Sequence, residues 1–325
     1  MLFLEKAKKT ILSTLKALLL PVVVYLVFKA IRPATFGSAA AMYIIAQQAM
    51  MVTIMSLGMC CNMTVGIWDF SPGSIVTLVG LVAGYYFNQY GFVAMVAAAL
   101  ICGVLFGLAN ATVYTVLRIP SVVVTVGMLL IYESIGAIYK GGKGVAITRE
   151  GAVLGQAPWI FLVTLVMFII LYTIYNKTKL GFNVKAVGNN ALIAKTAGID
   201  PRKVKFLSFF IAGCFFGVAG LINLSYGTAV SPAKNMGTMS VTFDAMMAGF
   251  IAIYLSGMVN RVVGIIIGTF TMKLVSAGLV AIGVEGTWQK VIVGVFLLFF
   301  IGFTQIKAQV QEWAGRLKRA KSTAA

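Results

Sequence analysis

Three ionisable side chains, Asp69, Glu133 and Lys273, lie within or between strongly apolar segments of this chain. A charge at the centre of a bilayer costs on the order of 2.5–3.5 kcal/mol on insertion scales, so each should face a bundle interior or water. Glu133 and Lys273 could form an ion pair, and a structural polar contact is an equally good interpretation of both. Because the chain has no histidine, Ser-His and Cys-His catalysis and the HExxH zinc site are excluded. We expect neither a catalytic residue nor a metal site.

Asp69 lies in a polar break between two apolar runs, where Ser71 and Pro72 can begin a new helix. Non-helical backbone at membrane depth persists only beside protein or water, so the break is a candidate for a discontinuous helix that lines a solute path. An ordinary interhelical turn with a helix N-cap is the alternative. Polar residues of the preceding span either line the same path or hold helices together. The candidate residues of this translocation path are Gln47, Gln48, Asn62, Asp69, Ser71 and Glu133.

The composition is that of an integral membrane protein. Of the 325 residues, 60% are hydrophobic and 10% are charged, with a mean hydropathy of +0.98, whereas a soluble domain carries about 25% charged residues. The four cysteines lie in apolar runs without CxxC spacing, and no Walker A sequence occurs. The net charge of +18 arises mainly from basic residues that flank apolar segments. Their positions indicate that they orient the spans in the membrane and do not form a nucleic-acid-binding surface.

The apolar segments predict an all-α, polytopic helix bundle with about ten transmembrane helices. The N-terminal segment is interpreted as an uncleaved first span, since no small-residue cleavage pattern follows it. Glycine pairs at four-residue spacing predict faces where helices approach closely: Gly80/Gly84, Gly103/Gly107, Gly213/Gly217 and Gly264/Gly268. The predicted spans are 11–31, 38–61, 72–87, 92–117, 120–139, 158–175, 206–226, 241–256, 262–282 and 288–306.

The distribution of lysine and arginine predicts the orientation of the spans. With the N-terminus in the cytoplasm, alternation through ten spans places most of the 26 basic residues inside, so both termini are expected to be cytoplasmic in a bacterial plasma membrane. Five spans per half make the second half enter from the opposite side, as in an inverted repeat. We therefore expect one transmembrane domain over 1–325, with halves 1–157 and 158–325.

The polar segment 176–205 separates the two apolar halves and contains a short helix with legible ends. Asn190 is a plausible N-cap, 191–197 has a helical composition and Gly198 fits the left-handed residue after the helix. Asp200 and Pro201 then begin the next long helix. Seven helical residues span about 10 Å, too little to cross a bilayer. The segment is interpreted as a cytoplasmic docking element, and a solvated basic loop is the alternative.

The block from Gly181 to Gly220 resembles the central loop and following helix of ribose-type ABC importer permeases, the membrane subunits of the branched-chain amino acid and monosaccharide class. The stretches 64–74 and 119–129 are also similar to segments of that family. The resemblance implies pairing with a second permease subunit (a copy or a paralogue), ABC ATPase subunits and an extracytoplasmic solute-binding protein. It implies that this chain binds no cofactor and that ATP–Mg binds to the partner ATPase. The implied ATPase-coupling residues are Gly188, Asn189, Asn190, Ala194, Lys195, Gly198, Ile199 and Asp200.

The leading interpretation is a non-enzymatic permease subunit of an ATP-driven importer, which moves a small polar solute, most simply a monosaccharide such as ribose. A nucleoside or a furanose-type signal molecule is an alternative solute. A secondary transporter driven by an ion gradient through Asp69, Glu133 or Lys273 is an alternative mechanism. An intramembrane enzyme is disfavoured, because histidine is absent and no span carries paired carboxylates.

Overall fold

The computed structural model describes residues 2–33 and 35–286, together with 288, 289, 291, 292, 294, 295 and 302. Each of the first nine predicted spans corresponds to a helix in this part of the chain. The predicted span 288–306 lies for the most part outside the described residues. The helices are α1 (Leu2–Ile31), α2 (Ala39–Thr64), α3 (Pro72–Tyr90), α4 (Phe92–Leu117), α5 (Ser121–Ile138), α6 (Trp159–Lys177), α7 (Lys179–Asn189), α8 (Ala191–Thr196), α9 (Pro201–Gly227), α10 (Met239–Leu255) and α11 (Arg261–Ile282).

Seven helical segments in the described part are long and apolar enough to cross a membrane. The expected helical membrane bundle is thereby confirmed in its coarse form. These segments are Ser13–Ile31, Ala39–Thr64, Phe92–Leu117, Ser121–Gly142, Trp159–Lys177, Pro201–Gly227 and Arg261–Ile282. Helix α10 is apolar but shorter, with 17 residues.

Helices α2 and α9 form the centre of the bundle and pack against each other. Helices α3 and α4 pack on α9, while α10 and α11 pack on α2. Both central helices are largely buried, and the largest fully buried side chains include Phe209, Phe215 and Phe216 of α9. The long apolar faces of α4, α5 and α6 are instead exposed on the outside of the bundle, as expected for surfaces that contact lipid.

The predicted close approach of glycine-bearing helices is confirmed at the crossing of α4 and α9. A Cβ atom added to Gly213 would lie 2.2 Å from the Cα atom of Gly107, and one added to Gly217 would lie 2.9 Å from the Cα atom of Gly103. Gly268 of α11 approaches the backbone of Ala248 in α10 similarly, with 2.5 Å from its added Cβ to the carbonyl oxygen. Small residues allow this backbone contact because dispersion packing holds helices together in lipid.

The two ends of the bundle differ in structure. One end, named the coupling end here, carries α7 and α8, the C-terminal ends of α2, α4 and α6 and the N-terminal ends of α9 and α11. The opposite end, named the strand end, carries β1 (Val145–Ala146) and β2 (Ala229–Val230). They form an antiparallel pair in which Val145 faces Val230. Apolar periodicity does not predict these strands, because each has only two residues. They tie the α5–α6 connection to the α9–α10 connection.

Candidate functional site

The short helix α8 lies where the sequence predicts it, at the coupling end, and its ends are closed by the expected residues. The Asn190 side chain accepts hydrogen bonds from the backbone N–H of Leu192 (2.9 Å) and of Ile193 (3.1 Å). At the other end, Gly198 has φ +83° and its N–H donates to the carbonyl of Lys195. The Ile199 N–H donates to the carbonyl of Ala194 over 3.0 Å, which completes a Schellman motif. This bonding fixes the shape of a helix too short to be stable alone.

Two large apolar side chains project from α8 into the open. Leu192 is 78% exposed and Ile193 is 66% exposed, whereas Ala194 on the opposite face is buried. Phe182 on α7 is also exposed. We name Phe182, Leu192 and Ile193 the apolar knob. Since exposed apolar patches at a polar surface are typical of protein contacts, the apolar knob is a candidate docking surface.

No helix was predicted for 179–189, which forms α7. The Thr178 side chain caps it by accepting a hydrogen bond from the Gly181 N–H, and Val184 and Val187 are buried against the bundle. Gly188 lies so close to the end of α2 that an added Cβ would be 2.1 Å from the Thr64 carbonyl oxygen. The polar composition of 179–189 concealed this amphipathic helix, whose buried side is narrow.

A polar cluster connects α7 to the ends of α2, α6 and α11. The Arg261 guanidinium donates to the Thr64 hydroxyl over 2.6 Å. The Asn260 amide donates to the Asn176 side-chain oxygen over 2.8 Å, and Lys185 donates to the same oxygen over 3.2 Å. Burial lowers the pKa of the Lys185 ammonium, and the nearby Arg261 guanidinium acts in the same direction. The cluster therefore ties α7 to the ends of three long helices.

Asp200 and Pro201 begin α9 as predicted. The Asp200 carboxylate accepts a hydrogen bond from the Arg202 N–H over 2.9 Å, and Pro201 occupies the first turn. Ala197, Gly198, Ile199 and Asp200 thus connect α8 to the central helix α9, a linker of four residues. This short backbone connection couples the position of α8 to the start of α9.

The break at Asp69 is a buried network that joins four helices. The Asp69 carboxylate accepts hydrogen bonds from the Ser71 hydroxyl (2.7 Å) and from the Asn62 amide (3.2 Å). Asn110 of α4 donates to the Ser71 hydroxyl over 2.7 Å, and the Tyr132 hydroxyl of α5 donates to Asn110 over 2.9 Å. All five side chains are buried. The network fixes the point where α2 ends and α3 begins.

The structure brings together only some of the predicted path residues. Asn62, Asp69 and Ser71 are in direct contact, whereas Gln47 is half-buried and Gln48 is exposed near the other end of α2. Asn110 and Tyr132 were missed, although Asn110 is a polar residue within an apolar helix and could have been selected by that signal. Its partner could not be identified, because the pairing depends on how α4 and α5 pack.

Glu133 caps the start of α10 from a different helix. Its carboxylate accepts hydrogen bonds from the Met236 N–H (2.9 Å), the Thr238 N–H (2.9 Å) and the Thr238 hydroxyl (2.6 Å). The backbone here is sharply bent, since Asn235 and Met236 both have positive φ. The suggested pairing of Glu133 with Lys273 is wrong, because the donors at this bend satisfy the carboxylate.

Replacing Glu133 with glutamine is expected to destabilise the fold by about 1.5–3 kcal/mol, since buried hydrogen bonds to a charged acceptor contribute that much. The melting temperature of the purified chain in detergent measures the loss. Glu150→Gln, which removes a charge from an exposed loop residue, is the matched control and should leave it unchanged. Equal melting temperatures for both variants would refute the capping role.

Lys273 pairs with Asp244, at 2.9 Å between α11 and α10. The pair borders a cavity of about 720 Å³. Its polar lining residues are Asn235, Ser240, Asp244, Lys273, Ser276 and Gln289. A cavity of this size holds a small solute, and its side chains offer both donors and acceptors of hydrogen bonds.

The apolar helices define a multi-pass membrane protein, and a short capped helix lies at its coupling end. The family described as "Branched-chain amino acid transport system / permease component" matches residues 41–301. The chain belongs to this family, which confirms the resemblance noted in its central block.

Individual relatives are similar over most of their length. The autoinducer 2 import system permease protein LsrC of Salmonella typhimurium (strain LT2) is 25% identical over 312 residues, which cover 93% of this chain and 89% of that protein. The ribose import permease protein RbsC of Escherichia coli (strain K12) is 25% identical over 269 residues, 79% of this chain and 83% of that protein. No solved structure matches the chain.

Proposed function

We propose that this chain is the membrane-spanning permease subunit of an ATP-driven importer for a small polar solute. The observation that carries the proposal is the doubly capped helix α8 with its exposed Leu192 and Ile193. It follows α7, which is tied to α2, α6 and α11, and a short linker joins it to α9. ABC ATPase subunits would receive the knob in the cytoplasm and supply ATP–Mg, while this chain binds no cofactor. An extracytoplasmic binding protein would deliver the solute, and a second copy or a paralogue would complete the membrane part.

The architecture proposed is ten spans in two inverted halves, with both termini in the cytoplasm. Helix packing supports the repeat. If α2, α3 and α4 are matched with α9, α10 and α11, the α3–α4 contact corresponds to α10–α11, the α3–α9 contact to α10–α2, and the α4–α9 contact to α11–α2. All of these contacts are present. Inverted repeats of this kind permit alternating access by rocking one half against the other.

The solute proposed is a monosaccharide or a related small sugar, because the relatives are named for the import of ribose and of autoinducer 2. The cavity beside Asp244 and Lys273 suits such a solute. A hydroxyl group can donate to the carboxylate while a neighbouring hydroxyl accepts from the ammonium. The Asp69 network and Glu133 would then fix the helix starts that border the path, with Gln47 and Gln48 further along α2.

The direct test is uptake by cells that produce this permease with the ATPase and the binding protein encoded beside it. The ligand of that binding protein, identified by mass spectrometry, serves as the labelled solute. Uptake is expected to survive a protonophore and to stop when ATP is depleted, because the energy source is nucleotide hydrolysis. The reverse pattern would support the gradient-driven transporter, for which the Asp244–Lys273 pair in its cavity is the favouring observation.

A further inference from the structure

A second, basic pocket lies at the coupling end, between the C-terminal end of α4 and the N-terminal end of α9. Its volume is about 240 Å³, and it is separate from the Asp244–Lys273 cavity. Its lining residues are Tyr114, Thr115, Arg118, Ile119, Pro201, Arg202 and Lys205. Three of them are cationic and none is acidic. We name this site the α4–α9 pocket.

The cations of the α4–α9 pocket are not neutralised within the described part of the chain. Arg118, Arg202 and Lys205 form no ion pair there. The Lys205 ammonium donates to the Tyr114 hydroxyl over 3.3 Å, and both residues line the pocket. Arg118 is held at the pocket rim by the left-handed end of α4, with φ +57°. Three uncompensated charges around one concavity favour an anionic ligand.

The rim of this pocket continues into an apolar surface. Val116 is 69% exposed, Leu117 is 53% exposed and Ile119 is 39% exposed. They extend the exposed apolar face of α4, which includes Leu105 and Leu108. A ligand that fills the basic pocket and covers this face needs an anionic head and long apolar chains. A soluble anion would use only the first of these features.

We propose that the α4–α9 pocket binds the headgroup of an anionic phospholipid, with the acyl chains along α4. Clusters of basic residues between membrane helices at the bilayer surface are recognised sites for such headgroups. Arg202 and Lys205 lie in the first two turns of α9, shortly after α8 in the chain. A bound lipid would therefore brace the start of α9, through which α8 would act under the proposed function. The site does not depend on which solute is carried.

Native mass spectrometry of the purified full-length chain in neutral detergent tests this site. Phosphatidylglycerol is expected to bind more tightly than phosphatidylcholine with the same acyl chains. Arg118→Gln/Arg202→Gln should weaken phosphatidylglycerol binding by about 30-fold, the change expected for two basic residues near an anionic surface. Glycerol 3-phosphate should compete poorly, which separates a lipid site from a simple phosphate site.

The matched control is Lys179→Gln/Lys203→Gln, which removes two exposed charges from the same end of the bundle but outside the pocket. It should keep its preference for phosphatidylglycerol. An equal loss in both double variants, or equal binding of the two lipids by the unaltered chain, would overturn the proposal. If the arginine variant fails to fold, Lys205→Gln gives the same reading: undiminished phosphatidylglycerol binding there refutes the site.

Discussion

Replacing Leu192 and Ile193 together with aspartate is expected to reduce ATP-dependent uptake by at least about tenfold while leaving the permease folded. Both side chains are mostly exposed and make no contribution to the core. A few central, desolvated side chains of an interface each cost about 2 kcal/mol or more when they are lost, and aspartate adds a buried charge against the partner. The measurements are uptake in cells and co-purification of the ATPase with the tagged permease.

Two controls accompany this double variant. Leu192→Met/Ile193→Val retains an apolar knob and should keep most of the uptake. Val153→Asp places a negative charge at an exposed apolar position of the strand end and should leave ATPase binding intact. Unimpaired uptake in the double aspartate variant would mean that the apolar knob is not the docking surface.

The largest expected effect on stability comes from Gly213→Leu at the crossing of α4 and α9. The Cβ atom alone would lie 2.2 Å from the Gly107 Cα and 2.6 Å from the Gly103 carbonyl oxygen. Backbone cannot yield as a flexible side chain does, so α4 and α9 must separate. Since overpacking typically costs 1–3 kcal/mol even in adaptable sites, we expect a loss of about 3 kcal/mol or more. Thermal unfolding in detergent and the yield of monodisperse protein report it.

Gly127→Leu is the matched control for this substitution. Gly127 lies within α5, and nothing would lie within 4 Å of its added Cβ. It should unfold close to the unaltered temperature. If Gly213→Leu and Gly127→Leu behaved alike, the tight α4–α9 crossing would be incorrect.

The long apolar helices and the short capped helix could be predicted because their signals are local. Asn190, Gly198 and Asp200–Pro201 mark helix ends by their own backbone preferences, and the structure places helix ends at those residues. The glycine spacing of α4 and α9 similarly predicted contact faces. The partner of each face could not be predicted, because the pairing of helices depends on the whole bundle.

The polar contacts show the limit of local reasoning. Glu133 and Lys273 were recognised as residues that need partners, but their partners were not. Glu133 accepts hydrogen bonds from Met236 and Thr238, and Lys273 pairs with Asp244. The cap on α10 comes from a helix about 100 positions earlier in the chain, and no local pattern indicates it. Helix α7 was missed although its signal is local, because it has only two buried valines among polar residues.

The most direct test of the central claim is photo-cross-linking from position 192. A photoreactive amino acid introduced there is irradiated in membranes that contain the complete importer. Position 153 at the strand end is the control. The account predicts a cross-link from position 192 to the ATP-hydrolysing subunit, weakened or shifted by nucleotide, and none from position 153. Cross-linking to the extracytoplasmic binding protein, or no cross-link in a complex that still co-purifies with its ATPase, would contradict it.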